Sequence, residues 1–343
     1  MKHIEISKRI FHFKQPAGTS RGIYTTRQSY FLTLTDDGMP GIKGVGECAP
    51  LPKLSCDDLP DYETILHQIC KLVESTDKIP YALLRPYPSI LFGLETAFAQ
   101  LNVHGSTMLF DTPFGRGEEG IRINGLVWMG SFDEMAERLE AKLRQGFHCV
   151  KLKIGAIDFE KEIELIRYIR KSFDKRQVEL RVDANGAFTP KNALQHLETL
   201  AKYDIHSIEQ PIKQHQWEDM AHLCTASPLP IALDEELIGV NVAAMKEALL
   251  DTIRPQYIVL KPSLHGGMRG TEEWIRLANA RGIGSWITSA LESNIGLNAI
   301  AQLCAKVYGP RVSTPQGLGT GLLFTDNITM PLTIRGDEMW ITQ

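Results

Sequence analysis

The chain has no long apolar run, no paired cysteines and no strong charge of either sign. No stretch of about 18 apolar residues occurs, so no transmembrane span is expected. The start, Met1-Lys2-His3-Ile4-Glu5-Ile6, alternates like a strand and lacks the apolar core of a signal peptide. The six cysteines (Cys48, Cys56, Cys70, Cys149, Cys224, Cys304) are scattered, with no C-x-x-C pair and no zinc-like histidine spacing. Reduced thiols in a cytoplasm are the expectation. A formal net charge of -4 gives no reason to expect nucleic acid or a membrane surface as partner. No G-x-G-x-x-G or Walker sequence opens a helix, which disfavours a dinucleotide or nucleoside triphosphate site. Gly317-Leu318-Gly319-Thr320-Gly321 is glycine-rich, but its spacing is wrong and no helix follows.

What is present falls into two rhythms. Segments near 2–14, 23–35 and 42–48 are rich in β-branched and aromatic residues, with a turn at Asp36-Asp37-Gly38 between the second and third. Helical patterns near 59–74 and 88–103 follow, so the first hundred residues read as a small α+β unit. Within it, residues 15–22 read as a polar, mobile loop and Ala49-Pro50-Leu51-Pro52 as a stiffened one. Either is a candidate lid, with Arg21 closing over a substrate. From about residue 120, short apolar strand, loop and amphipathic helix alternate. Strands are expected near 121–127, 148–154, 178–183, 205–209, 230–234, 256–261 and 283–288, with helices such as Phe159 to Ser172 and Gly267 to Ala280 between them. Seven or eight such units over about 190 residues fit a (β/α) barrel better than an open doubly wound sheet.

One strand carries two lysines, Val150-Lys151-Leu152-Lys153-Ile154. Residues two apart share a face, so both ammonium groups converge and require anionic partners. Barrel chemistry sits at the C-terminal ends of strands, and the following strands end in Asp183, Glu209, Asp234 and then Lys261. The steps from Lys153 through these residues are 30, 26, 25 and 27 positions, each about one βα unit. Three carboxylates without histidine or cysteine favour a hard ion, Mg²⁺ or alternatively Mn²⁺. A substrate on that ion would lie between Lys151-Lys153 and Lys261. A neighbouring ammonium, the metal and partial burial would lower a lysine toward the pH range useful for a base. The implied reaction is proton abstraction next to a carboxylate, with the metal stabilising an enediolate. Arg181 shares the inward face of Asp183 and would pair with a ligand or with a substrate carboxylate. Asn185 would orient a metal-bound water or make a turn. His215 and His265 read as loop residues.

Lys-x-Lys, Asp-x-Asn, Glu-Gln-Pro, Asp-Glu and the Lys-Pro strand, behind an α+β unit, resemble the muconate-lactonizing subgroup of the enolase superfamily. A lysine base working with Mg²⁺ is a general pairing for that superfamily. The resemblance implies an α/β fold, a (β/α)7β modified TIM barrel over 116–315. An N-terminal α+β capping domain (1–115) would be completed by a tail (316–343). It also implies Asp183, Glu209 and Asp234 as metal ligands, with Glu235 a weaker candidate. Gly44 to Pro52, Ile123 to Val127, Ser289 to Gly296 and Gly319 to Asn327 further resemble the o-succinylbenzoate synthase family of menaquinone biosynthesis. That likeness implies a small-molecule carboxylate substrate, dehydrated to an aromatic acid. Lys153 would remove the α-proton and Lys261 would stabilise the dienediolate. Ser289 and its loop would hold the succinyl carboxylate by hydroxyl and backbone N–H groups. The same two lysines would also serve an N-acylamino acid racemase or a dipeptide epimerase. The epimerases hold an α-ammonium with acids at the late strands, where this chain offers only Glu292. A catalytically silent, metal-holding scaffold is the reading of another class.

Overall fold

A computed structural model of the chain describes residues 1–19 and 22–342. The first unit is an antiparallel sheet, in order β1 (Lys2–Thr19), β2 (Gly22–Asp36) and β3 (Lys43–Cys48). Helices α1 (Tyr62–Thr76) and α2 (Pro88–Asn102) cover it, burying Leu66, Ile69 and Leu94 against Tyr30 and Leu32. Glycine makes the contact between β3 and α2 possible. A Cβ on Gly44 would stand 1.9 Å from the Ala97 carbonyl oxygen, and one on Gly46 would stand 1.8 Å from that of Gly93. The described part of the expected 15–22 loop, residues 15–19 and 22, lies in β1 and β2 instead. The hairpin continues through Ala17↔Tyr24 and Thr19↔Gly22 after an irregularity at His12/Ala17. Buried Ala17 anchors it in a cluster with Phe11, Phe13, Leu51 and Phe324. Arg21, the residue expected to close over a substrate, lies outside the described residues.

The second unit alternates β4 (Ile121–Arg122), β5 (Gly125–Val127), α3 (Phe132–Arg144), β6 (Cys149–Lys153), α4 (Phe159–Ser172), β7 (Glu179–Asp183) and α5 (Pro190–Leu200). It continues with β8 (Ser207–Glu209), α6 (Trp217–Ala226), β9 (Ile231–Leu233), α7 (Ala243–Ile253), β10 (Tyr257–Leu260), α8 (Gly267–Asn279), β11 (Gly284–Ile287) and α9 (Asn294–Tyr308). β5 to β11 lie side by side in chain order, all parallel. The ladder closes through a single short segment. Gln316 bridges Ile123 and Gly317 bridges Thr288, with Asn124 N–H donating to Gln316 O at 2.9 Å and Ser289 N–H to Gly317 O at 3.1 Å. A Cβ on Gly317 would sit 2.1 Å from Thr288 Oγ1, so this glycine serves barrel closure rather than phosphate binding. The interior is a packed core: Ala232, Val259, Trp286 and Tyr257 fill it below the strand ends.

The expected first barrel strand, 121–127, divides at Ile123-Asn124. Ile121–Arg122 leaves the barrel and pairs with the hairpin β12 (Leu332–Arg335) and β13 (Glu338–Ile341). Between barrel and hairpin the chain crosses the first unit, where Phe324 bridges Phe13 and Lys14 N–H donates to Leu323 O at 2.8 Å. Among the described residues, no helix is long and apolar enough to cross a membrane.

Candidate active site

The register of the parallel ladder brings the charged residues together. Lys153 pairs with Asp183 across β6 and β7, and Asp183 with Glu209 across β7 and β8. Asp234 and Lys261 each follow directly on the last residue of their strands. All three acids are at most 2% exposed. Lys151 Nζ donates to both oxygens of Glu209 at 3.0 and 2.9 Å and lies 3.1 Å from Asp183 Oδ2. Lys153 Nζ donates to Asp183 Oδ2 at 3.2 Å and to Asn185 Oδ1 at 2.6 Å. Lys261 pairs with Asp234 Oδ2. Asn185 sits in the left-handed region at φ 44°, takes Asp183 Oδ1 with its N–H, and donates its amide to Glu235 Oε1 at 2.9 Å.

Each ion pair opposes a desolvation cost. Burial pulls the Lys151 ammonium down, but Asp183, Glu209 and Asp234 together hold it well above the ordinary lysine range. Lys261 is likewise raised: burial lowers it, and Asp234, Glu235 and Glu209 outweigh that. Both are therefore held as ammonium groups, as expected of Lys261, which stays charged. Burial favours the neutral form of Asp183, yet Lys151, Lys153 and Lys261 hold its carboxyl below the usual range. Burial pushes Glu209 up, with the charge of Asp183 adding, and burial pushes Asp234 up as well.

Among the described residues, no three acid, imidazole or thiol groups stand together in ion-holding geometry. The ammonium groups of Lys151 and Lys261 lie against the acids instead. Yet Asp234 Oδ1 and Glu235 Oε2 are buried oxygens without a hydrogen-bond partner. An all-carboxylate set with unpartnered buried oxygens fits a hard divalent ion once the lysine contacts give way.

A cavity of about 390 Å³ opens above this ring. Its floor includes Lys151, Lys153, Asp183, Asn185, Glu235 and Lys261. Leu51 and Leu54 of the first unit's proline loop, with Tyr24 of the hairpin, form one wall, and Ser289 to Leu291 form another. Trp128, one residue beyond β5, presents its ring 5.9 Å from Lys153 Nζ. It also occupies a strand end, but as an uncharged aromatic it lacks the charge that marks the other strand ends in the sequence.

Two expected substrate contacts differ. Arg181 is buried but does not line the cavity. Its Nε donates to Glu179 Oε1 at 2.7 Å, its Nη1 donates to Pro315 O at 2.9 Å, and its guanidinium lies 4.4 Å from the Trp286 ring centroid. It belongs to the barrel's packed interior. Ser289 does line the cavity, but its hydroxyl is bonded to Thr320 Oγ1 and its N–H closes the barrel on Gly317 O. The next N–H, of Ala290, donates to Glu292 Oε2 at 2.7 Å. His265 lies in the loop before α8, as expected, but it is fully buried and its Nδ1 accepts the Lys261 backbone N–H at 2.9 Å. His215 donates its own N–H to Glu236 Oε1 at 2.8 Å.

The first unit is bolted to the cavity wall by two buried charges. Glu47 of β3 accepts from Ser29 Oγ (2.6 Å), Ser293 N–H (2.9 Å), Ser293 Oγ (2.6 Å) and Gly296 N–H (2.9 Å), capping the start of α9. Arg27 donates to the carbonyls of Ala49, Pro50 and Leu291. The segments around 44–52 and 289–296 thus form one joint.

Comparison with known proteins agrees with this architecture. Residues 134–339 match the family described as enolase C-terminal domain-like. The chain is 47% identical to the o-succinylbenzoate synthase of Desulfotalea psychrophila, over 96% of each chain. It is 27% identical to the L-Ala-D/L-Glu epimerase of Bacillus subtilis, over 88% of this chain and 84% of that one. The crystal structure of MenC from Desulfotalea psychrophila superposes with a TM-score of 0.83 at 42% identity, covering 99% of both chains.

Proposed function

The chain belongs to the enolase superfamily, in the enolase C-terminal domain-like family, and we propose that it is an o-succinylbenzoate synthase. The substrate would be 2-succinyl-6-hydroxy-2,4-cyclohexadiene-1-carboxylate, dehydrated to o-succinylbenzoate in menaquinone biosynthesis. The observation that carries the proposal is the 47% identity to a synthase over nearly the full length of both chains.

The geometry supports particular roles. Lys153, in its amine form, takes the proton from the ring carbon bearing the carboxylate. The resulting ammonium returns that proton to the departing hydroxyl, so water leaves from the same face and the ring becomes aromatic. Asn185 holds the Lys153 nitrogen in place before the substrate arrives. Lys261, approaching from the other end of the acid row, remains an ammonium and stabilises negative charge on the carboxylate. Lys151 balances the buried acids. Asp183, Glu209 and Asp234 would hold Mg²⁺, with Mn²⁺ as substitute. That ion would supply a fixed positive charge for the dianionic form of the substrate carboxylate. Trp128 offers an apolar face to the cyclohexadiene ring. A cytoplasmic location accords with the six free thiols.

A specific observation weighs against the epimerase alternative. Among the described residues lining the cavity, the acids are Asp183 and Glu235. Glu292, the one acid expected at the late strands, is fully buried and bonded to Ser263 Oγ and Ala290 N–H. It does not line the cavity. The test is to incubate the protein and Mg²⁺ with the hydroxycyclohexadiene and follow loss of one water by mass. Dipeptides and N-acylamino acids in deuterated solvent run in parallel. Deuterium entering those α-carbons, with the hydroxycyclohexadiene untouched, would reverse the assignment.

A further inference from the structure

Gln210 directly follows Glu209, is fully buried and does not line the cavity. It is one of the non-glycine residues in the left-handed region, at φ 41°. Its side chain reaches from the end of β8 into the turn that follows β9. There Oε1 accepts the backbone N–H of Asp234 at 3.1 Å and of Glu236 at 3.2 Å. On the other side Nε2 donates to Ile212 O at 3.0 Å and Glu236 Oε2 at 3.2 Å. Two donors face the oxygen and two acceptors face the nitrogen, so the amide has a single orientation that satisfies all four. The backbone of the same residue joins further neighbours. Gln210 N–H donates to Ala232 O at 2.9 Å, and Gln210 O accepts from Gly186 at 2.7 Å, in the turn that carries Asn185.

We propose that Gln210 is a positioning residue that sets the separation of Glu209 and Asp234, and through it the affinity of the acid row for a divalent cation. Without the amide, the Asp234 N–H and the Glu236 N–H lose their acceptor in a fully buried place, and the Asp234–Glu236 turn loses its side-chain tie to the end of β8, keeping only the backbone bond of Gln210 N–H to Ala232 O just before it. Asp234 Oδ1, a buried oxygen without a partner, then loses its fixed direction. Groups that orient metal ligands without touching the ion act on affinity in this way.

The inference rests on the proposed metal site, so the test measures binding rather than turnover. Mn²⁺ is titrated calorimetrically into the full chain, the variants Gln210→Met and Gln210→Asn, and a control, Leu66→Ala, in the core of the first unit. The expected result is Mn²⁺ binding weaker by about 10- to 100-fold in both Gln210 variants. The control should melt at a lower temperature with unchanged Mn²⁺ affinity. Gln210→Asn keeps an amide but falls one methylene short of the Asp234 N–H, and it carries the test if the methionine variant does not fold. Unchanged affinity in a folded Gln210 variant overturns the inference and leaves the metal site standing. Failure of the unsubstituted chain to bind Mn²⁺ overturns the metal site itself.

Discussion

Lys151 Nζ bridges both oxygens of Glu209, at 3.0 and 2.9 Å, whereas Lys153, two residues on, touches only Asp183 of the three acids, at 3.2 Å, and donates to Asn185 at 2.6 Å. The two lysines share a face and a strand but not an environment. Lys151 is locked to the acid row as its counter-charge. Lys153 stands at the edge of that row, beside the cavity and under Trp128. Replacing Lys153 with alanine is expected to lower kcat for dehydration by about 10²- to 10⁴-fold while Mn²⁺ binding is retained. Steady-state kinetics beside a metal titration checks this, and substantial remaining turnover would remove Lys153 from the base role.

Trp128 should act on substrate binding. Trp128→Ala removes the aromatic face nearest Lys153 and leaves the ion pairs intact. KM is expected to rise about tenfold, the size of one cation–π or stacking contact, with a smaller change in kcat. A fall in kcat alone would place Trp128 in the chemical step instead.

The joint between the two units should set both stability and the shape of the cavity. Glu47→Ala leaves the Ser293 and Gly296 N–H groups buried without their acceptor. A loss of about 3 kcal/mol in unfolding free energy is expected from denaturant midpoints, with a higher KM because the cavity segment Ser289 to Leu291 runs directly into the Ser293 start of α9 that Glu47 holds. Unchanged stability would mean that α9 finds another cap.

A pH effect follows from Glu95, a buried carboxyl of α2 that accepts the N–H groups of Met268 and Arg269 at the start of α8. Burial raises it from 4.5 to about 7, and those N–H donors offset only part of the shift. A carboxyl whose folded value lies above its unfolded value contributes stability that is complete below about pH 4.5. That contribution is lost as pH rises to about 7, and is worth up to about 3 kcal/mol. Glu95→Gln cannot ionise. Its melting temperature relative to the unsubstituted protein should therefore climb between pH 5 and 7.5. A constant difference across that range would show that Glu95 is not the titrating group.

The acid row was legible because a βα unit has a nearly fixed length, so one charged residue per unit must fall at one height in the barrel. Parity was legible too, and it correctly turns Arg181 inward. Depth was not. Two residues along a strand amount to roughly 6.6 Å, which places Arg181 a layer below Asp183, where Glu179 and Trp286 hold it. Lys151 starts from that same layer, but its flexible stem carries the ammonium up to Glu209. The closing segment at Gln316-Gly317 was hidden for another reason. It is held by isolated bridges, too short to show any alternation, and its glycine answers to Thr288 rather than to a turn. Residues 15–19 look polar and loop-like, yet pairing with β2 and the burial of Ala17 outweigh that composition.

The most direct test is an ultraviolet trace of the aromatic product, taken as the protein meets 2-succinyl-6-hydroxy-2,4-cyclohexadiene-1-carboxylate with Mg²⁺ and again after chelation. Product absorbance should appear rapidly with the ion, fail to appear after chelation, and recover when Mg²⁺ is restored. A flat trace from folded, Mg²⁺-saturated protein would contradict the proposed function.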